Sequence, residues 1–326
     1  MFKLGLKEIV YMESKIKKYL SDPWMAYCAF TSKGLTKWVS DRTHLRLMHR
    51  AKLGMWPSID SPVTFTEKMQ WLKLNDHNPA YTTMVDKYRA KDLIASRVGS
   101  EHVVKTLGAW NSADDIDVSG LPEKFVLKTN HDCGGVLICT DKGHFDLNGA
   151  KDFFRGHLKQ NYFYGCREWP YKNVKPVVFA EEFLESEGDN ARDEDDNWEG
   201  IDEFDFFCFD GEPRLISYCH GDKNDSEKRY NDFYDTEWNL LPLAMGYASS
   251  EETIPAPEQL SEMLELSRKL SDGVPFLRVD LFICKGRVLV GELTFYPWGG
   301  FTPFSPAEAE RTLGQMVSLP QRENEE

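Results

Sequence analysis

Neither of the common glycine-rich nucleotide signatures occurs in these 326 residues: there is no Walker A loop and no Rossmann glycine fingerprint. Also missing is any Cys-x-x-Cys pair among the seven cysteines, 28, 133, 139, 166, 208, 219 and 284. An odd count without paired spacing fits free, mostly buried thiols in a reducing compartment better than zinc or a disulfide framework. No apolar run approaches the roughly 18 to 20 residues of a membrane span, and no uninterrupted apolar stretch with a cleavage site opens the chain. The expectation is a cytoplasmic protein. Positive charge is scarce, with 39 Lys and Arg against 53 Asp and Glu, and the net of -14 argues against a nucleic-acid partner. Internal repeats and EF-hand spacing are absent too. What remains, 41% hydrophobic and 28% charged, is an ordinary globular composition with length for two or three domains.

The stretch that organises the chain lies late. Phe276 to Phe282 and Val288 to Thr294 are apolar runs joined by a Lys285-Gly286 turn, the pattern of a β-hairpin. Asp280 and Glu292 fall inside these runs, where an unpaired carboxylate costs several kcal/mol. Arg278, on the face of Asp280, could compensate by a buried ion pair. A magnesium ion could do so as well, since it takes oxygen ligands from one or two carboxylates plus substrate phosphates. Thr294 shares the face of Glu292 and could add a hydroxyl.

Residues 1–56 carry eleven Lys and Arg against four Asp and Glu, a balance of +7. Leu6, Ile9, Val10, Ile16 and Leu20 predict an amphipathic basic helix, which either docks on its own protein or lies on an anionic membrane surface. A second basic helix is expected from Leu35 to Leu53. Thr64 and Glu67 form a capping box for a helix ending at Asn75 to Asn78. Asp86 can cap a helix that stops at Gly99, which would put Lys87 in a first turn where the macrodipole disfavours cations. Such a lysine is either held for a ligand or simply solvated. Strands follow at Val103 to Leu107, Lys124 to Lys128 and Val136 to Cys139. Between the last two, Thr129 to Gly135 forms a turn whose N–H groups could approach phosphate or merely connect strands. Past a helix from Asn148 to Gln160, aromatics interleave with cations from Tyr162 to Lys172, suiting either a sugar or purine contact or a core corner. Val177 to Leu184 reads as a strand entering 185–203, a solvated segment with ten Asp and Glu against one Arg. A hairpin from Glu203 to Tyr218, a helix from Pro257 to Leu270, a loop from Tyr296 to Gly300, and a last helix opened by Ser305 to Glu308 complete the chain.

Seven pieces carry a family resemblance: Phe65 to Trp71, Asp86-Lys87-Tyr88, Phe125 to His131, Arg167-Glu168-Trp169, Phe206 to Gly211, Asn231 to Asp235, and Arg278-Val279-Asp280-Leu281 continuing through Gly291 to Pro297. In this order they resemble the ATP-grasp superfamily, and more closely its TupA-like branch, found in bacterial polysaccharide gene clusters. The resemblance covers roughly residues 60 to 316.

That resemblance implies an α+β fold in which two α+β lobes enclose ATP behind an N-terminal helical segment. The implied units are a basic helical segment at 1–60, a helical lead-in with Lys87 at 61–101, a smaller lobe with a phosphate flap at 102–184, a larger lobe with the metal site at 185–316, and a tail at 317–326. Lys87 and Lys128 would contact ATP phosphates under a loop carrying Asn130, His131, Gly134 and Gly135. Glu181, Glu182, Phe183 and Leu184 resemble the hinge at the adenine. Asp280, Glu292 and Thr294 would bind Mg2+, and Arg278, with Lys128, would act in catalysis. Three departures stand out: Thr294 replaces the superfamily's usual Asn, Asp205 stands where the branch often has Lys, and the acidic loop is long. The implied activity is ATP-dependent ligation of a small-molecule carboxylate, such as a glycan uronate of a capsule, to an amine. A kinase acting on a sugar hydroxyl and a noncatalytic nucleotide-binding module of an assembly complex are the alternatives. The basic N-terminus would contact the inner membrane face or such a complex.

Overall fold

Two antiparallel sheets, each burying the face its sequence makes apolar, organise the computed structural model, which describes residues 21–185, 203–221 and 229–321. The first has the order β1-β4-β2-β3, from β1 (Thr106–Trp110), β2 (Phe125–Thr129), β3 (Val136–Cys139) and β4 (Val178–Glu182). Phe125 and Leu127 alternate with Val126 and Lys128, so period two sends the apolar pair into a core with Val178, Ala180 and Phe154. Phe154 comes from the helix Leu147–His157.

The second sheet runs β10-β9-β5-β6-β7-β8, from β5 (Glu203–Phe209), β6 (Glu212–Gly221), β7 (Arg229–Tyr234), β8 (Leu240–Leu241), β9 (Phe276–Cys284) and β10 (Arg287–Thr294). β9 lies between β10 and β5, and its nearly continuous apolar run matches burial of Phe276, Leu277, Val279 and Leu281. The helix Leu260–Ser271 packs on this sheet through Met263, Leu266 and Leu270. Phe65, in the helix Phe65–Asn75, sets its ring 4.9 Å from Phe276. The Thr64 and Glu67 capping box forms as its sequence predicts.

Several boundaries differ from expectation. Asp86 does cap backbone N–H groups, those of Tyr88 and Arg89, but the turn it closes precedes the helix Ala90–Val98. Lys87 therefore stands in that turn, clear of the helix N-terminus. Strand β1 starts at Thr106, three residues later than expected, because Val103 instead bridges to Val290 of the other sheet. Ser305 does not cap the last helix, Ala307–Met316; its backbone pairs with Ala244. The second basic helix begins at Asp41, where the Ser40 hydroxyl accepts from Thr43 N–H, and a helix Pro23–Ser32 precedes it. The helix expected at Leu6 to Leu20, the acidic segment 186–202 and the end of the tail lie outside the described residues. Among the described residues no helix is long and apolar enough to cross a membrane.

Candidate active site

The hairpin register builds the centre of the site. Glu292 pairs with Asp280 and Thr294 with Arg278, so four polar side chains share one face of two buried strands. A bulge between Val290 and Glu292 sets this phase. Gly291 occupies it, and a Cβ there would stand 3.0 Å from the Phe282 ring and 3.2 Å from the Asp280 carbonyl oxygen.

Around that face the charges interlock. Arg278 donates to Asp280 through Nε at 2.6 Å and Nη2 at 2.5 Å, and its Nη1 lies 3.5 Å from Asp205, which is opposite Asp280 on β5. The Thr294 hydroxyl is 3.2 Å from both Asp280 Oδ2 and Glu292 Oε1. Lys87 Nζ reaches Glu292 Oε2 at 2.9 Å. The Lys87 ammonium outweighs burial and pulls Glu292 down to about 2. Burial raises Asp280 well above the carboxylate range despite Arg278, with Asp205 adding to the rise, and burial lifts Asp205 itself to about 6. Three carboxylates thus face two cations.

That excess of negative charge, presented through hard oxygen atoms, suits magnesium. Among the described residues no group of three or more His, Cys, Asp or Glu side chains is arranged to hold a metal unaided. Two carboxylates and a hydroxyl fit an ion that completes its shell with water and phosphate oxygens.

A second charged group has the opposite balance. Glu181 on β4 lies between Lys128 Nζ of β2 and Lys91 Nζ, each at 2.6 Å. Burial raises the Glu181 pKa, and the two ammonium groups outweigh it, leaving a net fall. Lys91 was not marked by the sequence, where a lysine on a short helix reads as solvated. Of the four expected hinge residues only Glu181 joins these lysines. Glu182 Oε1 accepts from Lys105 N–H at 3.2 Å, Phe183 packs beneath Lys124, and Leu184 packs with Val104, Cys284 and Leu289.

The β2–β3 loop is tied at its base and exposed at its tip. The Asn130 amide accepts from Val177 N–H at 2.8 Å and donates to the Lys175 carbonyl at 3.0 Å, and Nε2 of His131 bonds the His157 carbonyl at 3.2 Å. Both side chains are buried, so they anchor the loop and do not line the cavity. Asp132 accepts from Thr129 and from His157 Nδ1, the latter at 2.5 Å. Gly135 packs so closely that a Cβ would fall 1.8 Å from the Thr129 hydroxyl. Cys133 and Gly134 form the exposed tip, and Gly134 has φ +98.

A cavity of about 500 Å³ opens beside the hairpin and is lined by strands of the second sheet together with the β2–β3 loop, including Lys87, Cys133, Arg229, Tyr247, Arg278, Asp280 and Glu292. Its opposite wall comes from the aromatic and basic stretch: Tyr162, Cys166, Glu168 and Tyr171 all face it. Arg167 makes this wall possible. Its backbone is left-handed (φ 55), a conformation costing roughly 1 to 2 kcal/mol in a residue with a Cβ. The buried guanidinium holds it there, pairing with Asp41 at 2.8 Å and donating to the carbonyls of Tyr164, Thr36 and Val39. His44 adds a bond to the Gly165 carbonyl at 3.0 Å. Residues 36–44 of the N-terminal segment therefore brace the cavity wall, a role that its basic composition did not disclose.

No curated protein matches the chain. Among solved structures it is similar to the D-alanine--D-alanine ligase of Bacillus anthracis complexed with ATP, at 16% identity and a TM-score of 0.38 over 72% of this chain and 63% of that one. It is also similar to the ATP-grasp ligase PsnB complexed with its minimal precursor, at 12% identity and 0.36, over 80% and 67%, and to the Helicobacter pylori D-alanine-D-alanine ligase, at 15% and 0.39, over 73% and 59%. The chain spans less than two thirds of the Bacillus anthracis enzyme's length. A family model, by contrast, matches residues 67–318, from the capping glutamate of the lead-in helix to just past the last helix and across the whole acidic hairpin. Over that span the chain belongs to the TupA-like ATP-grasp family.

Proposed function

We propose that the chain is an ATP-dependent carboxylate–amine ligase whose acid is a uronate of a bacterial capsule or surface polysaccharide. The carrying observation is the meeting of Asp280, Glu292 and Thr294 across one hairpin, flanked by Lys87 and Arg278, at the edge of a cavity large enough for a sugar.

A carboxylate and an amine form only a salt near neutral pH. Phosphorylating the acid supplies a leaving group, so the protein's task is positioning and neutralising charge. Asp280, Glu292 and Thr294 would hold magnesium, whose charge would offset that of the triphosphate. Lys87, Lys128 and Lys91 neutralise phosphate oxygens, and Arg278 steadies the phosphoryl group in transfer. Cys133 at the loop tip lines the cavity, and a loop closing there would exclude water that hydrolyses an acyl phosphate. Arg229, set 5.1 Å over the Tyr247 ring, and the phenols of Tyr162 and Tyr171 offer polar and stacking contacts to a sugar.

The described part of the N-terminal segment exposes Leu35, Trp38, Met55 and Trp56 beside Lys33, Lys37 and Lys52. Exposed apolar side chains with lysines along the same segment suit peripheral contact with an anionic membrane, which would place the enzyme at the inner surface.

Incubation with ATP, magnesium, and panels of uronates and amines, read by mass spectrometry, tests the activity. An amide that requires both partners supports ligation. A phosphosugar formed without amine identifies a kinase instead, and a gain in melting temperature with ATP and magnesium but no product from any panel identifies a noncatalytic nucleotide-binding module.

A further inference from the structure

Glu168 is a buried acid to which the phosphoryl-transfer chemistry gives no task. It lies between left-handed Arg167 and Trp169, whose ring stacks on His77 at 4.9 Å, so neighbours on both sides fix its direction. Its side chain faces the cavity, the residue is 4% exposed, and Oε1 has no hydrogen-bond partner. An orphaned carboxylate oxygen in a buried wall is rare enough in folded proteins to call for a ligand.

The lysine whose charge acts on Glu168, Lys73, makes its hydrogen bonds to other groups. Lys73 Nζ donates to the Gly299 carbonyl at 2.5 Å and to Gln70 Oε1 at 3.0 Å, and lies 4.3 Å from the Phe301 ring centre. The other titrating groups around Glu168 are the Cys166 thiol, the phenols of Tyr162, Tyr171 and Tyr296, and the Glu292 carboxylate. Burial raises the Glu168 pKa, Lys73 opposes it and Glu292 adds to it, so the group holds a proton more readily than an exposed glutamate does. Tyr162 and Tyr171 meet edge to face at 4.9 Å on the same wall. One carboxylate oxygen among aromatic rings is the chemistry that receives a primary ammonium ion.

We propose that Glu168, walled by Tyr162, Tyr171 and Tyr296, is the subsite for the acceptor's ammonium group and takes the proton this group must lose before attack. The inference rests on the ligase reading. At neutral pH an alkylamine is protonated and has no free electron pair. Glu168 accepts one N–H proton, and the electron pair so released forms the C–N bond at the acyl carbon. The C–O bond to phosphate then breaks, and a second nitrogen proton leaves with the departing phosphate.

Two readouts on the full chain test this. In the first, ATP, magnesium and the uronate panel are supplied with either hydroxylamine, a weak base already neutral near pH 7, or L-lysine, which is protonated. Glu168→Gln should keep hydroxamate formation within about tenfold of the parent while amide formation with L-lysine falls about 100-fold or more. Equal losses with both nucleophiles, or none with either, overturn the proposal. The second readout needs no turnover: ethanolamine and L-alaninamide, titrated at neutral pH, should raise the parent's melting temperature saturably and leave that of Glu168→Gln unchanged. Identical responses in the two proteins, or no response in the parent, overturn it. If no uronate yields ADP from the parent, the ligase reading falls and the second readout alone decides the amine site. Should Glu168→Gln fail to fold, Glu168→Asp, which keeps the charge and withdraws it, takes its place with the same outcomes.

Discussion

Replacing Lys87 by Met removes one charge at the point where the lead-in turn, the β2–β3 loop and the acidic hairpin meet. Its backbone N–H bonds the Asn130 carbonyl at 3.0 Å, and its ammonium lies 2.9 Å from Glu292 Oε2. With an effective dielectric constant of about 20, two unit charges at that separation attract by about 6 kcal/mol. Desolvation of both groups offsets most of this, and Glu292 keeps about a third of its side-chain exposure, so the expected loss of stability is about 1 to 2 kcal/mol. The pH dependence has a definite sign. Because Glu292 is depressed in the folded protein, the pair's contribution is complete above the ordinary glutamate pKa of about 4.5 and disappears as pH falls toward about 2. Urea unfolding of Lys87→Met should therefore differ most from the parent above pH ~5 and converge with it in strong acid. The functional arm uses melting temperature with ATP and magnesium. A ligand near 100 times its dissociation constant adds about 2.7 kcal/mol to the parent, and Lys87→Met should lose most of that. A variant that keeps full nucleotide stabilisation and full turnover would refute the assignment of Lys87 to the phosphates.

Asp280→Asn and Glu292→Gln should each abolish product formation while leaving far-UV circular dichroism intact, and full activity in either purified variant would remove the metal assignment. Glu181→Gln leaves Lys91 nearly buried without its carboxylate and should cost about 3 kcal/mol in urea unfolding; Lys91→Met, which spares the Lys128 contact, should cost about 1 kcal/mol. The reverse order would show that the lysines carry the strain. Gly135→Ala drives a methyl into the Thr129 hydroxyl and should destabilise by about 1 to 3 kcal/mol, so an unchanged urea midpoint would mean the loop base yields freely.

What the sequence discloses follows from how local its signals are. Period-two alternation puts Arg278 with Asp280 and Glu292 with Thr294, but only the bulge at Gly291, which no local pattern announces, brings the two pairs onto one face; the capping box fixes a helix start without reference to the rest of the chain. Nothing local says which lysines are buried. Lys73 and Lys91 sit on helices where exposure is the default, and only packing of the Phe301 loop and of β4 encloses them. Burial of the Asn130 and His131 side chains is equally silent in sequence, since polar residues beside glycines suit a ligand loop and a hydrogen-bonded anchor equally well. Asp205 is conspicuous in sequence only as a missing lysine; strand pairing turns it into a partner of Arg278. Arg229 and Tyr247 come together through the second sheet, and no spacing along the chain connects them.

The left-handed kink at Arg167 also bears on where the protein can be cut. The matched family span opens at residue 67, yet the carbonyls of Thr36 and Val39 and the Asp41 carboxylate that fasten this arginine lie well before it. Trimming to the family boundary would leave a guanidinium stripped of three of its acceptors inside an apolar wall and free the turn before Glu168 to relax. A shortened protein of that kind also loses Phe65 from the core against Phe276, so its inactivity would describe the missing brace and core contact and not the hairpin of Asp280 and Glu292.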